Sequence, residues 1–149
     1  MYNIFKVDTD RKRYLPLLLL ADEQENMIDR YLDRGEMFVL EENGQAVTVC
    51  VTVVLDNGCC EVKNLATAPE FQGRGYGRAM LDFVCAQYRG RCPAVFAGTG
   101  DSPLTVPFYE KCGFVLSHRI PNFFTDNYDH PIIEAGVRLT DMVYLKKEL

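Results

Sequence analysis

Gln72-Gly73-Arg74-Gly75-Tyr76-Gly77 follows Cys60-Glu61-Val62-Lys63-Asn64-Leu65-Ala66-Thr67, a segment that can run extended, with Ala68-Pro69-Glu70-Phe71 as a turn between them. It precedes a segment in which Met80, Leu81, Val84, Cys85 and Tyr88 recur at helical spacing. The region reads as strand, glycine-rich turn, helix. Glycines at alternate positions leave φ free and let the backbone approach a ligand without a Cβ in the way. The helix that begins near Gly75 adds unpaired N–H donors and the positive end of its dipole, and Arg74 and Arg78 add full charges suited to phosphate oxygens. A diphosphate fits such a loop. A glycine turn that only reverses the chain is the alternative.

Two other phosphate loops are excluded by the neighbours. A P-loop closes on Lys-Ser or Lys-Thr, whereas Gly77 is followed by Arg78-Ala79. A dinucleotide fingerprint belongs after the first strand of a βαβ unit, and these glycines stand mid-chain after several extended segments.

Read as Gln-x-x-Gly-x-Gly through Gln72, Gly75 and Gly77, the loop closely resembles motif A of the GNAT family of acetyl-CoA-dependent N-acyltransferases, where it holds the diphosphate of coenzyme A. Phe108-Tyr109-Glu110-Lys111-Cys112-Gly113-Phe114 is similar to that family's motif B. The likeness covers residues 37–118 well and the two ends by architecture. It implies an α+β, three-layer fold: a mixed, mostly antiparallel sheet of six to seven strands flanked by helices and splayed between its two central parallel strands. It also implies acetyl-CoA as co-substrate, no metal, and contacts to the coenzyme from Leu65, Ala66, Thr67, Gln72, Gly73, Arg74, Gly75, Tyr76, Gly77 and Arg78. Two positions depart from the family pattern: Ser102 stands where Asn is common, and Thr105 where Ala is.

The rest of the chain bounds the function. A length of 149 residues suits one domain with a real core, here residues 1–149. Hydrophobic residues at 48% and charged ones at 25% are ordinary for a globular chain, and a net charge of −5 argues against general nucleic-acid binding. Leu15 to Ala21 is too short and Pro-interrupted to span a bilayer, and no export signal precedes it, so a cytoplasmic protein without membrane contact is expected. Six cysteines lack Cys-x-x-Cys spacing and are expected as free thiols.

Asn-Gly at Asn43-Gly44 and Asn57-Gly58 divides Met37–Glu41, Gln45–Leu55 and Cys59–Thr67 into an antiparallel meander that leads into the glycine loop, which excludes a simple doubly wound fold. Met1–Val7 reads as a first strand with either Ile4 or Phe5 inward, and Arg11–Ala21 and Asp22–Asp33 as two helices. A helix over 77–89, a strand over 94–98, a short helix from about Thr105 to Cys112 closed by Gly113, and strands over 114–120 and 141–147 complete the reading.

Making an amide from a thioester requires an unprotonated amine, a base for its excess proton and a donor to the departing thiolate. Glu61, eleven residues before Gln72, stands where some GNAT enzymes carry a catalytic glutamate; an outward-facing strand carboxylate is the alternative. Tyr109 corresponds to the family's phenol beside the coenzyme sulfur and so to a general acid, against a core tyrosine. Residues 118–136 carry no periodicity and read as a long loop. In it Phe123, Phe124 and Tyr128 could wall an acceptor site and Asp126, Asp129 and Glu134 could hold an ammonium group, or the loop could be a covering flap or dimer contact. The expected activity is direct acetyl transfer to a primary amine, on a small molecule in preference to a protein or peptide, by a monomer or homodimer. A non-catalytic acyl-CoA binding module is the alternative.

Overall fold

The computed structural model describes residues 1–149. In chain order the elements are β1 (Tyr2–Val7), a 3-10 turn (Arg11–Tyr14), α1 (Leu15–Ala21), α2 (Glu25–Ile28), β2 (Glu36–Glu42), β3 (Gln45–Val54), β4 (Cys60–Thr67), a second 3-10 turn (Pro69–Phe71), α3 (Tyr76–Tyr88), β5 (Ala94–Gly100), α4 (Thr105–Lys111), β6 (Val115–Ile120), α5 (Phe123–Asn127), β7 (Ile133–Glu134), β8 (Val137–Arg138) and β9 (Met142–Glu148).

The two Asn-Gly turns set the sheet. Asn43 and Gly44 both take positive φ, 54° and 77°, the pair of values that a two-residue hairpin matched to strand twist needs. At the second turn the Asn57 side chain accepts the Cys59 N–H at 2.9 Å. The seven strands of the main sheet follow the order β1-β2-β3-β4-β5-β9-β6, antiparallel except for β4 and β5. That parallel pair holds only at Cys60 with Val95, Glu61 with Phe96 and Val62 with Ala97. Beyond it β4 runs on to Thr67 against β3, and β5 runs on to Gly100 against β9, so a slot opens between them.

Helices cover both faces. On one, Met80, Leu81, Val84 and Tyr88 of α3 and Tyr109 of α4 pack on Cys60, Val62, Val95 and Leu145. On the other, Leu18, Ile28, Tyr31 and Leu32 pack on Val39, Val49 and Val51. Both alternatives for β1 are met at once, because Ile4 packs toward the first cluster and Phe5 toward the second. A sheet covered on both faces buries both residues of each alternating pair.

Three expectations need correction. Arg11–Ala21 is not one helix: a 3-10 turn precedes α1, whose Pro16 sits at its first positions, where a missing N–H costs nothing. The helix expected over Asp22–Asp33 shrinks to α2 followed by turns. Arg11 draws that segment back by donating to Leu32 O at 2.5 Å and Gly35 O at 2.8 Å. Residues 118–136, expected as a long loop, hold the end of β6, all of α5 and the β7 strand of the small β7-β8 hairpin, the last two too short for hydrophobic periodicity to register. No helix is long and apolar enough to cross a membrane.

Leu40 is fully buried between the sheet and α3. Leu40→Ala is expected to lower unfolding stability by about 2–5 kcal/mol in a denaturant titration, whereas a loss below about 1 kcal/mol would show the site collapsing around the cavity.

Candidate active site

The glycine loop is tied to the strand it leaves by Gln72, whose side-chain amide donates to Thr67 O at 3.0 Å. Gly73 and Gly75 take φ of 78° and 88°, the left-handed region that side chains disfavour. The consequence is a row of free donors: the backbone N–H groups from Gly73 to Arg78 donate to no protein group, and the first to find a partner is that of Ala79, on Gly75 O at 3.0 Å. Such donors at the head of a 13-residue helix favour an anion. Tyr76 is turned away from them, its hydroxyl donating to Glu42, while the Arg74 guanidinium lies over the Phe71 ring at 5.3 Å. Gly77 packs against Phe108, and a Cβ there would stand 3.2 Å from that ring. A groove of about 470 Å³ runs along this row, with Thr67, Gly75, Gly77, Arg78, Phe108 and Lys111 in its walls.

The groove leads into the slot between β4 and β5. A second cavity of about 200 Å³ there shares Leu65, Thr67, Gln72 and Tyr109 with the groove and adds Ala66 and Glu134. Because β5 has left β4 by this point, Leu65, Ala66 and Thr67 present a strand edge that no other strand pairs. Tyr109 is buried, and its burial pushes the phenol well above its ordinary value. Its hydroxyl has no hydrogen-bond partner in the protein although the ring lines both cavities. The oxygen itself stays open to the cavity, since Asn64 Oδ1 is the one fully buried side-chain polar atom without a partner. Ser102 is not part of this wall: it is buried and its Oγ accepts the Leu104 N–H at 3.0 Å, fastening the entry to α4, while Thr105 lines the cavity instead.

Across the sheet lies a third cavity of about 220 Å³, joined to the second at Val62, Lys63 and Gly98. A bulge directs β4 into it: Val51 pairs with Asn64 and Thr52 with Val62, leaving Lys63 opposite no residue. Glu61 points inward, 6% exposed, ion-paired to Lys63 at 3.0 Å and accepting from the Tyr144 hydroxyl at 3.2 Å. Tyr144 is itself held flat against His118, ring centroids 4.7 Å apart. A chain of hydrogen bonds closes the far wall: Asn64 Nδ2 donates to the Tyr31 oxygen (3.1 Å), Tyr31 to Asp22 (3.0 Å) and Tyr128 to Asp22 (2.6 Å). Burial raises the Asp22 carboxyl and both phenols above their ordinary values.

Phe123 and Tyr128 line this cavity. Phe124 is buried against Ile132 and Leu139 and holds α5 onto the β7-β8 hairpin. Asp126 is exposed on α5 and lines none of the three cavities. Asp129 is occupied by His130, which also reaches Glu23 at 2.9 Å. Arg30, Arg34, Lys63 and Tyr144 are wall residues that the sequence reading did not select. Lys63 was findable, two residues after Glu61 on the same strand; the others arrive from distant elements. No group of three or more His, Cys, Asp or Glu side chains is placed to hold a metal ion, and all six cysteines are buried and free.

Gly75→Ala meets no atom within 4 Å, so its effect is on the backbone alone. Left-handed φ costs a side chain about 1–2 kcal/mol, and reorienting the loop to relieve it is expected to weaken coenzyme A binding by about tenfold in calorimetry; unchanged affinity would mean that the loop amides are not the contact.

The family model for the acetyltransferase (GNAT) domain matches residues 33–116. The N-acetyltransferase YvbK of Bacillus subtilis strain 168 is 32% identical over 135 residues, 89% of this chain and 87% of the relative. A GNAT family acetyltransferase from Elizabethkingia anophelis, solved with acetyl-CoA bound, superposes with a TM-score of 0.94 at 34% identity, over 99% of this chain and 98% of that one. An IAA acetyltransferase from Bacillus cereus does so at 0.92 and 31%, with both chains covered in full. Glycine loop, splayed strands and relatives agree, and the chain belongs to the GNAT family of acetyltransferases.

Proposed function

We propose that the protein transfers the acetyl group of acetyl-CoA directly to the primary amine of a small molecule. The observation that carries this is the continuous passage from the free amides of Gly73–Arg78, past the unpartnered Tyr109 hydroxyl, to the cavity at Glu61. Acetyl-CoA supplies an activated acyl carbon and a thiol leaving group. Its diphosphate suits the loop amides with Arg78 and Lys111, and its amide-bearing arm suits the free edge of Leu65–Thr67, as an added strand would.

In the transfer a C–N bond forms and the C–S bond breaks. Glu61 accepts the proton that the amine must lose, held in place by Lys63 and Tyr144. Tyr109 gives its proton to the departing sulfur and is recharged from water. Burial raises the proton affinity of the phenol, so it carries its proton throughout the neutral range, the form a donor to the departing sulfur must have. A small acceptor is favoured over a protein because α5 and the Asp22 network wall the acceptor side into cavities of about 220 and 400 Å³ that meet at Asp22, Lys63, Gly98, Tyr128 and Met142.

Tyr109→Phe is expected to lower kcat for thiol release by about 10²-fold or more with the KM for acetyl-CoA nearly unchanged, the pattern of a lost proton donor. A variant with wild-type kcat would remove Tyr109 from the chemistry.

A further inference from the structure

The acceptor cavity is charged in a way the proposed reaction does not require. Its walls carry Arg30, Arg34 and Lys63 against Asp22 and Glu61, an excess of positive charge in a chain whose net charge is −5. The two carboxylates are already satisfied. Glu61 has Lys63 and the Tyr144 hydroxyl; Asp22 has the hydroxyls of Tyr31 and Tyr128, one on each oxygen. The guanidinium groups are not. Neither Arg30 nor Arg34 has a carboxylate within ion-pair distance; Arg30 donates to the side-chain oxygen of Asn127 at 3.3 Å, and Arg34 to the backbone oxygen of Arg30 at 3.2 Å. Those long bonds to neutral oxygens leave most of their donors open. Both side chains are exposed, four residues apart in the turns after α2, and line the cavity, while Glu61 on β4 is buried in its wall.

Resting on the acetyl-transfer reading, the geometry points to an acceptor that carries an anionic group as well as its amine. Arg30 and Arg34 hold the anion at the rim, and the amine reaches down to Glu61 and the slot. The side walls fit the rest of such a molecule: Met27, Phe123 and Met142 are apolar, and Tyr31, Tyr128 and Tyr144 present ring surface. The anion is a carboxylate or a phosphate ester, either of which a guanidinium pair can grip with parallel hydrogen bonds. This places the charged end of the acceptor on Arg30 and Arg34 and not on an ammonium site at Asp126, Asp129 and Glu134. Asp126 and Asp129 line neither the cavity nor the slot, and Glu134 lines the slot and a neighbouring cavity of about 400 Å³ that shares Asp22, Lys63 and Tyr128 with this one.

The test is a comparison of acceptors that differ only in the anionic group: amino acids, their carboxamides, the corresponding decarboxylated amines, and aminoalkyl phosphates, each assayed for thiol release from acetyl-CoA. The inference expects kcat/KM for one anionic class, carboxylate or phosphate, to exceed that of its neutral counterparts by at least about tenfold. Which class leads identifies the anion. Arg30→Gln with Arg34→Gln should bring that ratio close to one, Arg34→Lys should keep part of it, and Arg30→Glu with Arg34→Glu should turn the preference toward diamines. Exposed positions tolerate these changes, and melting temperatures confirm folding. Neutral amines acetylated as well as their acidic counterparts would overturn this inference and leave acetyl transfer standing. No thiol release with any amine, from protein that binds acetyl-CoA, would overturn the transfer reading itself.

Discussion

The parting of β4 from β5 after only three paired positions is the constraint on which the site depends. A parallel pair that continued in the same register to Thr67 would spend the edge of Leu65–Thr67 on Gly100–Ser102 and leave no passage through the sheet. Each strand keeps its hydrogen bonds on the outer side, β4 to β3 and β5 to β9, so the split exposes one edge of each without unravelling either. Gly98 belongs to this arrangement: it sits where the cavities meet, against Tyr144, and a Cβ there would lie 2.9 Å from that ring. The split therefore makes the slot and sets the width of its mouth.

The two faces of the sheet then do different chemistry. On one, unspent backbone amides and two cationic side chains make a site for phosphate, built from conformation more than from residue identity. On the other, each carboxylate is matched to donors, and two guanidinium groups line the cavity without forming an ion pair to either. Tyr109 stands between them, lining both the groove and the slot, with burial holding its proton. Desolvation makes this division effective, since charged and polar interactions are stronger where water is excluded.

How much of this could be read beforehand follows from what each feature is made of. The glycine loop, the seven main strands and α3 were legible because they depend on local signals: Asn-Gly turns, alternation, helical spacing and a motif of fixed register. Glu61 and Tyr109 could be named, but whether each turned inward depended on a bulge at Lys63 and on packing beneath the sheet. The acceptor side was read least well. Its walls come from α2 and the turns after it, from α5 and from β9, segments separated by about a hundred residues and brought together through Asp22. Of the acidic residues between 121 and 136 that suggested a cation site, Asp126 lines none of the cavities, Asp129 is held by His130, and Glu134 lines the slot. Arg30 and Arg34 gave no signal, since arginines near a helix end are ordinarily solvated.

The central claim is that the amides from Gly73 to Arg78 are held open for the diphosphate of an acylated coenzyme. Amide-resolved NMR of the labelled protein titrated with acetyl-CoA tests it most directly. The account predicts large shifts and slowed solvent exchange at those N–H groups, reproduced by coenzyme A and lost with a pantetheine analogue that lacks the diphosphate. Saturable binding of acetyl-CoA that leaves the resonances of Gly73 to Arg78 unmoved would contradict it.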